Sequence, residues 1–308
     1  MEAIEYFADP DVSFRFMCSV LWPSGETTCP RCGSANVGFI KTRRMFQCKG
    51  CTPQKQFSVK VGTIFEDSPI PLNKWLTAIW LIANCKNGIS SHELARDLKV
   101  TQKTAWYMNH RIRLALQVGT FAKLDGDVEV DETFIGGKAR NMHKHVRARK
   151  ITSRGGHNKV AVMGLLDRQD GQIRTKIVPD RTEATLHTEV RRRVAYGSNL
   201  YTDKATGYRG LDVTYAHQVI DHAEKYVDGQ VHTNGLENFW SLLKRGLNGT
   251  YISVEPLHLF RYLDEPVWRY NNRKMTDRDR FFRAVAQIVG KRLTWNELTG
   301  KGMPTASA

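Results

Sequence analysis

The spacing of apolar residues along this chain changes from helical to strand-like near residue 128. Between Asn73 and Leu116, Trp75, Ile79, Trp80 and Ala83 recur at helical intervals, predicting a helix with Asn73 as its cap. Asn87-Gly88 breaks it. Ser90 or Ser91 opens a shorter helix, with Ser90 and Glu93 at capping-box spacing, that ends near Lys99. A longer basic helix then runs from Thr101 to Leu116. From Val128 the period falls to two, and V-E-V-D places Glu129 and Asp131 on one face of a strand. V-A-V-M-G-L-L-D and I-R-T-K-I-V predict two more strands, turning at Asp170-Gly171. A helix from Thr182 to Val194, with Thr182 as a possible cap, is followed by strands at N-L-Y-T-D and T-Y-A-H-Q-V-I and a long helix from Asn234. Three strands, a helix, two strands and a helix is the order of the RNase H-like fold. The predicted class is therefore α/β with a mixed sheet. Two further amphipathic helices follow Ser253, the first kinked or ended at Pro266.

Ahead of the helical region, F-S-V-K-V-G-T-I-F reads as a strand, and Pro69 and Pro71 mark a boundary. Before that run lie Cys29-Pro-Arg-Cys32 and Cys48-Lys-Gly-Cys51, with fifteen residues between the pairs. Each pair sets two thiolates on one side of a tight turn. Four thiolates make a closed tetrahedral site, so one structural Zn²⁺ is expected. A redox pair would need one such motif, not two. The residues between the pairs read as a hairpin that carries Lys41, Arg43 and Arg44. Cys18 and Cys85, among apolar neighbours, read as plain buried thiols. The predicted organisation is a zinc-ribbon module over 1–68, a helix-turn-helix module over 69–123, a catalytic domain over 124–290 with a basic insertion at 138–159, and a C-terminal tail over 291–308 whose last eight residues, K-G-M-P-T-A-S-A, read as frayed.

Charge narrows the partner. Forty-six Lys+Arg stand against 31 Asp+Glu, a net charge of +15, which points to a polyanion and first to nucleic acid. The acidic N-terminus lacks the basic start and apolar core of a signal peptide. The apolar stretch Trp75–Cys85 is too short to span a bilayer. A cytoplasmic, nucleoid-associated protein with no membrane partner is expected. In a helix-turn-helix, Gln102, Lys103, Thr104 and Tyr107 would face bases, while Arg111 and Arg113 would meet phosphates or the next domain. An ordinary helical linker is the plainer alternative. The 138–159 segment holds eight Lys/Arg and no acid, including Lys144, Arg147, Arg149, Lys150 and Arg154. Its like charges repel, so it reads as a phosphate clamp ordered by DNA.

The candidate chemistry rests on three acids. Asp131 and Asp203 end strand-like runs, and Glu237, 34 positions after Asp203, opens a helix-like one. Carboxylates from separate elements can hold two Mg²⁺ (or Mn²⁺) over a phosphodiester, Asp131 bridging both ions. Lys244, seven residues after Glu237, shares its helix face with Trp240 and Ser241 between them, and could steady the phosphate. Each acid alone also has a plain reading. Asp131 has Asp125, Asp127, Glu129 and Glu132 around it, Asp203 could form a turn, and Asn234 with Glu237 could be a helix cap.

At these residues the chain resembles the prokaryotic insertion-sequence transposases that combine a zinc ribbon with an RNase H-like DDE domain, relatives of the eukaryotic Merlin transposons. The likeness spans C-P-R-C, C-K-G-C, V-D-E-T-F-I-G-G, Y-T-D-K-A-T-G-Y, H-T-N-G-L-E-N-F-W-S-L-L-K-R-G and H-L-F-R-Y-L-D-E-P-V-W-R-Y-N-N-R. It implies metal-dependent cleavage and strand transfer on double-stranded DNA at terminal inverted repeats. It places the metal-binding acids on Asp131, Asp203 and Glu237 and the following basic residue on Lys244. Some relatives use Asn as the third member, which leaves Asn234 as an alternative to Glu237. Joining two element ends implies a homodimer or larger assembly on DNA. A catalytically silent DNA-binding regulator and an RNase H-like nuclease or resolvase are the competing functions.

Overall fold

The strand V-A-V-M-G-L-L-D is apolar on both sides because helices cover both faces of the sheet it occupies. In the computed structural model, β4 (Asp127–Ile135), β5 (Val160–Asp167) and β6 (Ile173–Val178) run antiparallel in turn, and β7 (Asn199–Asp203) and β8 (Ala216–Ile220) add parallel to β4. The sheet order is β6-β5-β4-β7-β8. On one face Val128, Val130, Ala161, Met163 and Leu165 pack with Leu186 and Val190 of α7 (Glu183–Arg193). On the other, Val162, Leu166 and Ile173 pack with Leu236, Phe239, Trp240 and Leu243 of α8 (Asn234–Gly246) and with Leu259, Tyr262 and Leu263 of α9 (Leu259–Asn271). Thr182 caps α7 as expected, accepting from the Thr185 N–H. Pro266 lies inside α9, which continues past it. The structure describes residues 2–53, 55–117, 119, 122–137, 143–150, 159–220 and 232–301.

The chain folds into two units, Met1–Gln117 with Met275–Ala308, and Val118–Lys274. In the first, α1 (Glu2–Tyr6) and α2 (Pro10–Leu21) precede a three-stranded antiparallel sheet, β1 (Val37–Ile40), β2 (Met45–Cys48) and β3 (Gln56–Phe57). Phe14 and Trp22 of the α2 region pack on Phe46 of β2. Three helices follow: α3 (Leu72–Asn84), α4 (Ser91–Leu98) and α5 (Gln102–Leu116). Ser90 caps α4 through the Glu93 N–H, and Thr101 caps α5 through the Thr104 N–H.

Three expectations change. Pro71, not Asn73, precedes the first turn of α3, where its restricted φ already suits helix entry. The run F-S-V-K-V-G-T-I-F is a strand only at its start. Beyond Phe57 it turns repeatedly, with Gly62 at φ +75°, and buries Val59, Ile64 and Phe65. Residues 275–290, grouped by sequence with the catalytic domain, fold with the first unit. There Phe281 of α10 (Asp277–Ala286) meets Phe7, Phe16 and Trp80. The C-terminal stretch carries α11 (Trp295–Thr299), where Thr294 and Glu297 form a reciprocal capping box, and the end expected to fray lies, from residue 302 on, outside the described residues. Cys18 and Cys85 are half-buried. No helix among the described residues is long and apolar enough to cross a membrane.

Candidate active site and zinc centre

Period-two alternation puts Glu129 and Asp131 on the face of β4 that α8 covers, and the fold assigns them different roles. Glu129 is 1% exposed. Its Oε1 accepts from Arg168 Nε at 2.9 Å and its Oε2 from the Leu236 N–H at 3.0 Å. Asp131 is held more lightly. Its Oδ1 accepts from the Glu132 N–H at 2.8 Å and its Oδ2 from the Trp240 indole at 2.9 Å. Burial pushes the Asp131 carboxyl up to about 6, and the nearby charges of Asp203 and Glu237 add to this, while the Trp240 bond opposes it. Three acids from β4, β7 and α8 therefore share one locality.

The parallel register shows how Asp203 arrives there. Paired residues run from Asp127 and Asn199 to Glu129 and Tyr201, and Asp131 and Asp203 each lie two residues further on. Asp203 Oδ1 accepts from the Ala205 N–H at 3.1 Å, which turns the chain sharply after β7. Glu237 is exposed in the first turn of α8, and Lys244 is exposed two turns on. Thr233 is the N-cap of α8 without a side-chain cap bond, and Asn234 is the first helical residue. Asn234 and Glu237 thus do not stand as cap and third residue. The Leu236 N–H, left over at the helix start, is satisfied by Glu129 instead.

Glu132, only one of several flanking acids in the sequence, is a fourth carboxylate here. It accepts from the Tyr208 hydroxyl. Burial pushes it up to about 8, joined by Asp131 and Asp203 and opposed by Arg181. An all-oxygen donor set whose members repel one another suits a hard divalent cation, which would relieve that repulsion.

In the ribbon, the sulfurs of Cys29, Cys32, Cys48 and Cys51 lie within 4.8 Å of one another, with Cys29–Cys51 at 3.8 Å and Cys32–Cys48 at 3.5 Å. Tetrahedral zinc with bonds of about 2.3 Å sets its sulfurs about 3.8 Å apart. The thiols also perturb one another. Burial raises Cys29, but backbone N–H groups of Arg31 and Cys32 outweigh it and hold it at about 7, whereas the neighbouring Cys32 thiol leads in pushing Cys51 up to about 12. A full set of thiolates needs a cation among them, and the cluster supports one structural Zn²⁺.

The basic candidates divide. Lys41 and Arg43 are exposed at the tip of the ribbon hairpin, while Arg44 pairs with Asp11. Gln102 donates to Ser91, Thr104 shares a bond with Thr101, and the Lys103 ammonium lies over Trp295. The Tyr107 hydroxyl donates to the Leu293 carbonyl. Arg111 and Arg113 are not surface groups, being 3% and 1% exposed. The Arg111 guanidinium donates to the carbonyls of Leu293 and Glu66, so it braces the first unit rather than facing a phosphate. Lys144 and Arg147 are exposed on α6 (Lys144–Lys150). The Arg149 and Lys150 side chains, Arg154, and the ordering of the rest of 138–159 by DNA lie outside the described residues.

Comparison with known proteins gives the family of this chain, which carries a mixed α/β domain with clustered carboxylates and a four-cysteine ribbon. Residues 123–271, nearly the whole second unit, match the ISXO2-like transposase domain, and residues 9–54 match the transposase zinc-ribbon domain. An uncharacterized protein in transposable element ISH50 of Halobacterium salinarum is 28% identical over 260 residues, covering 80% of this chain and 86% of the relative. An uncharacterized transposase-like protein of Haemophilus influenzae is 34% identical over 102 residues, 33% of this chain and 82% of the relative. The chain belongs to the insertion-sequence transposases with an ISXO2-like domain and a zinc ribbon.

Proposed function

We propose that the second unit is an RNase H-like DDE domain that cleaves DNA at the terminal inverted repeats of an insertion sequence and joins the freed 3′ end to target DNA. The observation that carries this reading is the convergence of Asp203 and Glu237 on Asp131, from a parallel strand and a helix, near enough for both charges to act on it beside the Trp240 bond. The sheet order, three antiparallel strands extended by two parallel ones, supports the fold assignment. Two Mg²⁺ or Mn²⁺, when bound, supply activation of the attacking oxygen and stabilisation of the leaving one.

Asp131 sits centrally, and the Trp240 indole fixes its carboxylate plane. Asp203 and Glu237 would complete the donor set. Glu237 is preferred to Asn234 because its charge acts on Asp131 and because a carboxylate binds a hard cation better than an amide does. Lys244 steadies the phosphate from the same helix. Helices α4 and α5, joined across residues 99–101 with Lys99 in a left-handed conformation, form a helix-turn-helix that presents Gln102, Lys103 and Thr104 to duplex DNA. Lys41 and Arg43 on the ribbon, and Lys144 and Arg147 on α6, add phosphate contacts. Two or more chains hold two element ends together.

The test is incubation with Mg²⁺ and a duplex carrying candidate element ends, followed by sequencing of joined products. Asp131→Asn and Asp203→Asn should each abolish joining. Full strand transfer by either variant would refute the assignment.

A further inference from the structure

Glu129 and Arg168 have no part in the chemistry proposed above, yet they form an enclosed ion pair beside the candidate site of the second unit. Glu129 is 1% exposed, and the Arg168 side chain is 14% exposed. Such a pair is costly to desolvate unless its remaining donors and acceptors are satisfied. Here they are satisfied by groups at the entrance to α8. Arg168 Nη2 donates to the His232 carbonyl at 2.6 Å and lies 3.1 Å from His232 Nδ1, which is 3.5 Å from Glu129 Oε1. The guanidinium stacks 3.8 Å over Tyr201 of β7, whose hydroxyl donates to Asp127. Glu129 Oε2 takes the Leu236 N–H. One ion pair therefore joins β4, the end of β5, β7 and the first turn of α8.

The spacing of these contacts ties them to the site. Glu129 holds Leu236, and two strand residues later Asp131 holds Trp240, four helix residues on. Two residues of strand rise about 6.7 Å and four residues of helix about 6.0 Å, so the two ties match in pitch and lock the helix alongside the strand. Glu237 lies between them, directly after Leu236. Gly235 allows this closeness, since a Cβ there would lie 2.2 Å from Leu166 Cδ2 and 2.9 Å from Glu129 Oε2.

We infer that Glu129 and Arg168 are positioning residues for metal binding: the ion pair sets the register of α8 on β4 and thereby carries Glu237 to Asp131 and Asp203. The inference rests on the reading of those three acids as the metal site. Partners of this kind, which orient metal ligands without touching the metal, typically change affinity by about 10- to 100-fold when removed.

The experiment is a titration of the full-length protein with Mn²⁺, without DNA, with free Mn²⁺ followed by electron paramagnetic resonance. Glu129→Gln keeps an acceptor for Leu236 but loses the ion pair. Arg168→Lys keeps the charge but cannot serve Glu129 and the His232 carbonyl together. Each should weaken Mn²⁺ by about tenfold or more, while affinity for duplex DNA without added Mn²⁺ or Mg²⁺ stays at the wild-type value. Gly235→Ala should give the same loss from the helix side. Glu189→Gln, on α7, should bind Mn²⁺ as wild type does. If Glu129→Gln does not melt cooperatively, Arg168→Lys carries the test. Wild-type Mn²⁺ affinity in the folded variants overturns the inference. Wild-type Mn²⁺ affinity in Asp131→Asn overturns instead the metal reading on which it rests.

Discussion

The Trp240 indole N–H donates to Asp131 Oδ2 at 2.9 Å, across a gap that exists because the residue paired with Asp131 on the neighbouring strand is Gly164. A Cβ on Gly164 would lie 2.5 Å from Trp240 Cζ2 and 3.0 Å from Leu236 Cδ2. Gly164→Ala should therefore push α8 off the sheet. Overpacking of this kind costs about 1–3 kcal/mol, which lowers the melting temperature of a unit this size by about 2–4 °C per kcal/mol. Strand transfer should fall further than stability alone explains, because Asp131 loses its donor. Calorimetry and a joining assay on the same preparation decide it. A variant that melts and joins as wild type does would show that Trp240 is not held there.

The zinc centre predicts a local collapse. Cys48 is wholly buried between its partner thiols and the Gly50 N–H, so Cys48→Ser should release the metal. Metal contributes on the order of 10 kcal/mol to small zinc modules, and the ribbon sheet should unfold without it. The second unit should keep its own transition. Elemental analysis should find one zinc per wild-type chain and little in the variant, with loss of protease resistance confined to the ribbon.

Arg111 and Lys41 should separate stability from DNA binding. Arg111→Met leaves the half-buried Glu66 carbonyl without its donor and the Leu293 carbonyl with the Tyr107 hydroxyl alone, costing about 1–3 kcal/mol, and should lower the melting temperature with the salt dependence of DNA binding unchanged. Lys41→Ala should do the reverse: if it contacts one phosphate, the slope of log affinity against log salt becomes shallower by about 0.9. An Arg111 variant with native stability and a shallower slope would return that residue to the DNA surface.

Acid should weaken the second unit through His217. Its ring is half-buried on β8 with Nε2 2.8 Å from the Thr202 hydroxyl, and burial lowers its pKa from the usual 6.5, aided by His187 and opposed by Asp212. A histidine held below its unfolded value is neutral in the fold while the unfolded chain takes up a proton. Stability is therefore unaffected well above 6.5 and falls as the pH drops from there toward the folded value. Denaturant melts of wild type and His217→Gln at pH 7.5 and 5.0 should show a larger loss in wild type. Equal losses would exclude this histidine as the source.

Much of the architecture is legible in local pattern. The two C-x-x-C pairs state their zinc site because both knuckles are short-range structures. The period-two run at V-E-V-D states which acids share a face, and the caps at Ser90 and Thr182 follow from side chains three residues from the N–H they accept. Pattern misleads where burial comes from distant partners. The apolar run after Phe57 looks like a strand, yet its residues are buried within turns. Arg111 looks like a phosphate ligand on a basic helix, yet its acceptors are backbone groups 45 and 182 positions away.

The sequence by itself determines the order of elements, the zinc ligands and the short list of acids, because each depends on residue type and spacing within a few turns of chain. Tertiary structure alone decides which strand acid is neutralised and which stays available. Glu129 and Asp131 are equivalent in the pattern, both acidic and both on the face of β4 beneath α8. They differ because Arg168, 39 positions from Glu129, reaches back to one of them, and Trp240, 109 positions from Asp131, reaches the other through the space left by a glycine. Electrostatics in a buried site depend on distance through space, and only the folded chain sets those distances.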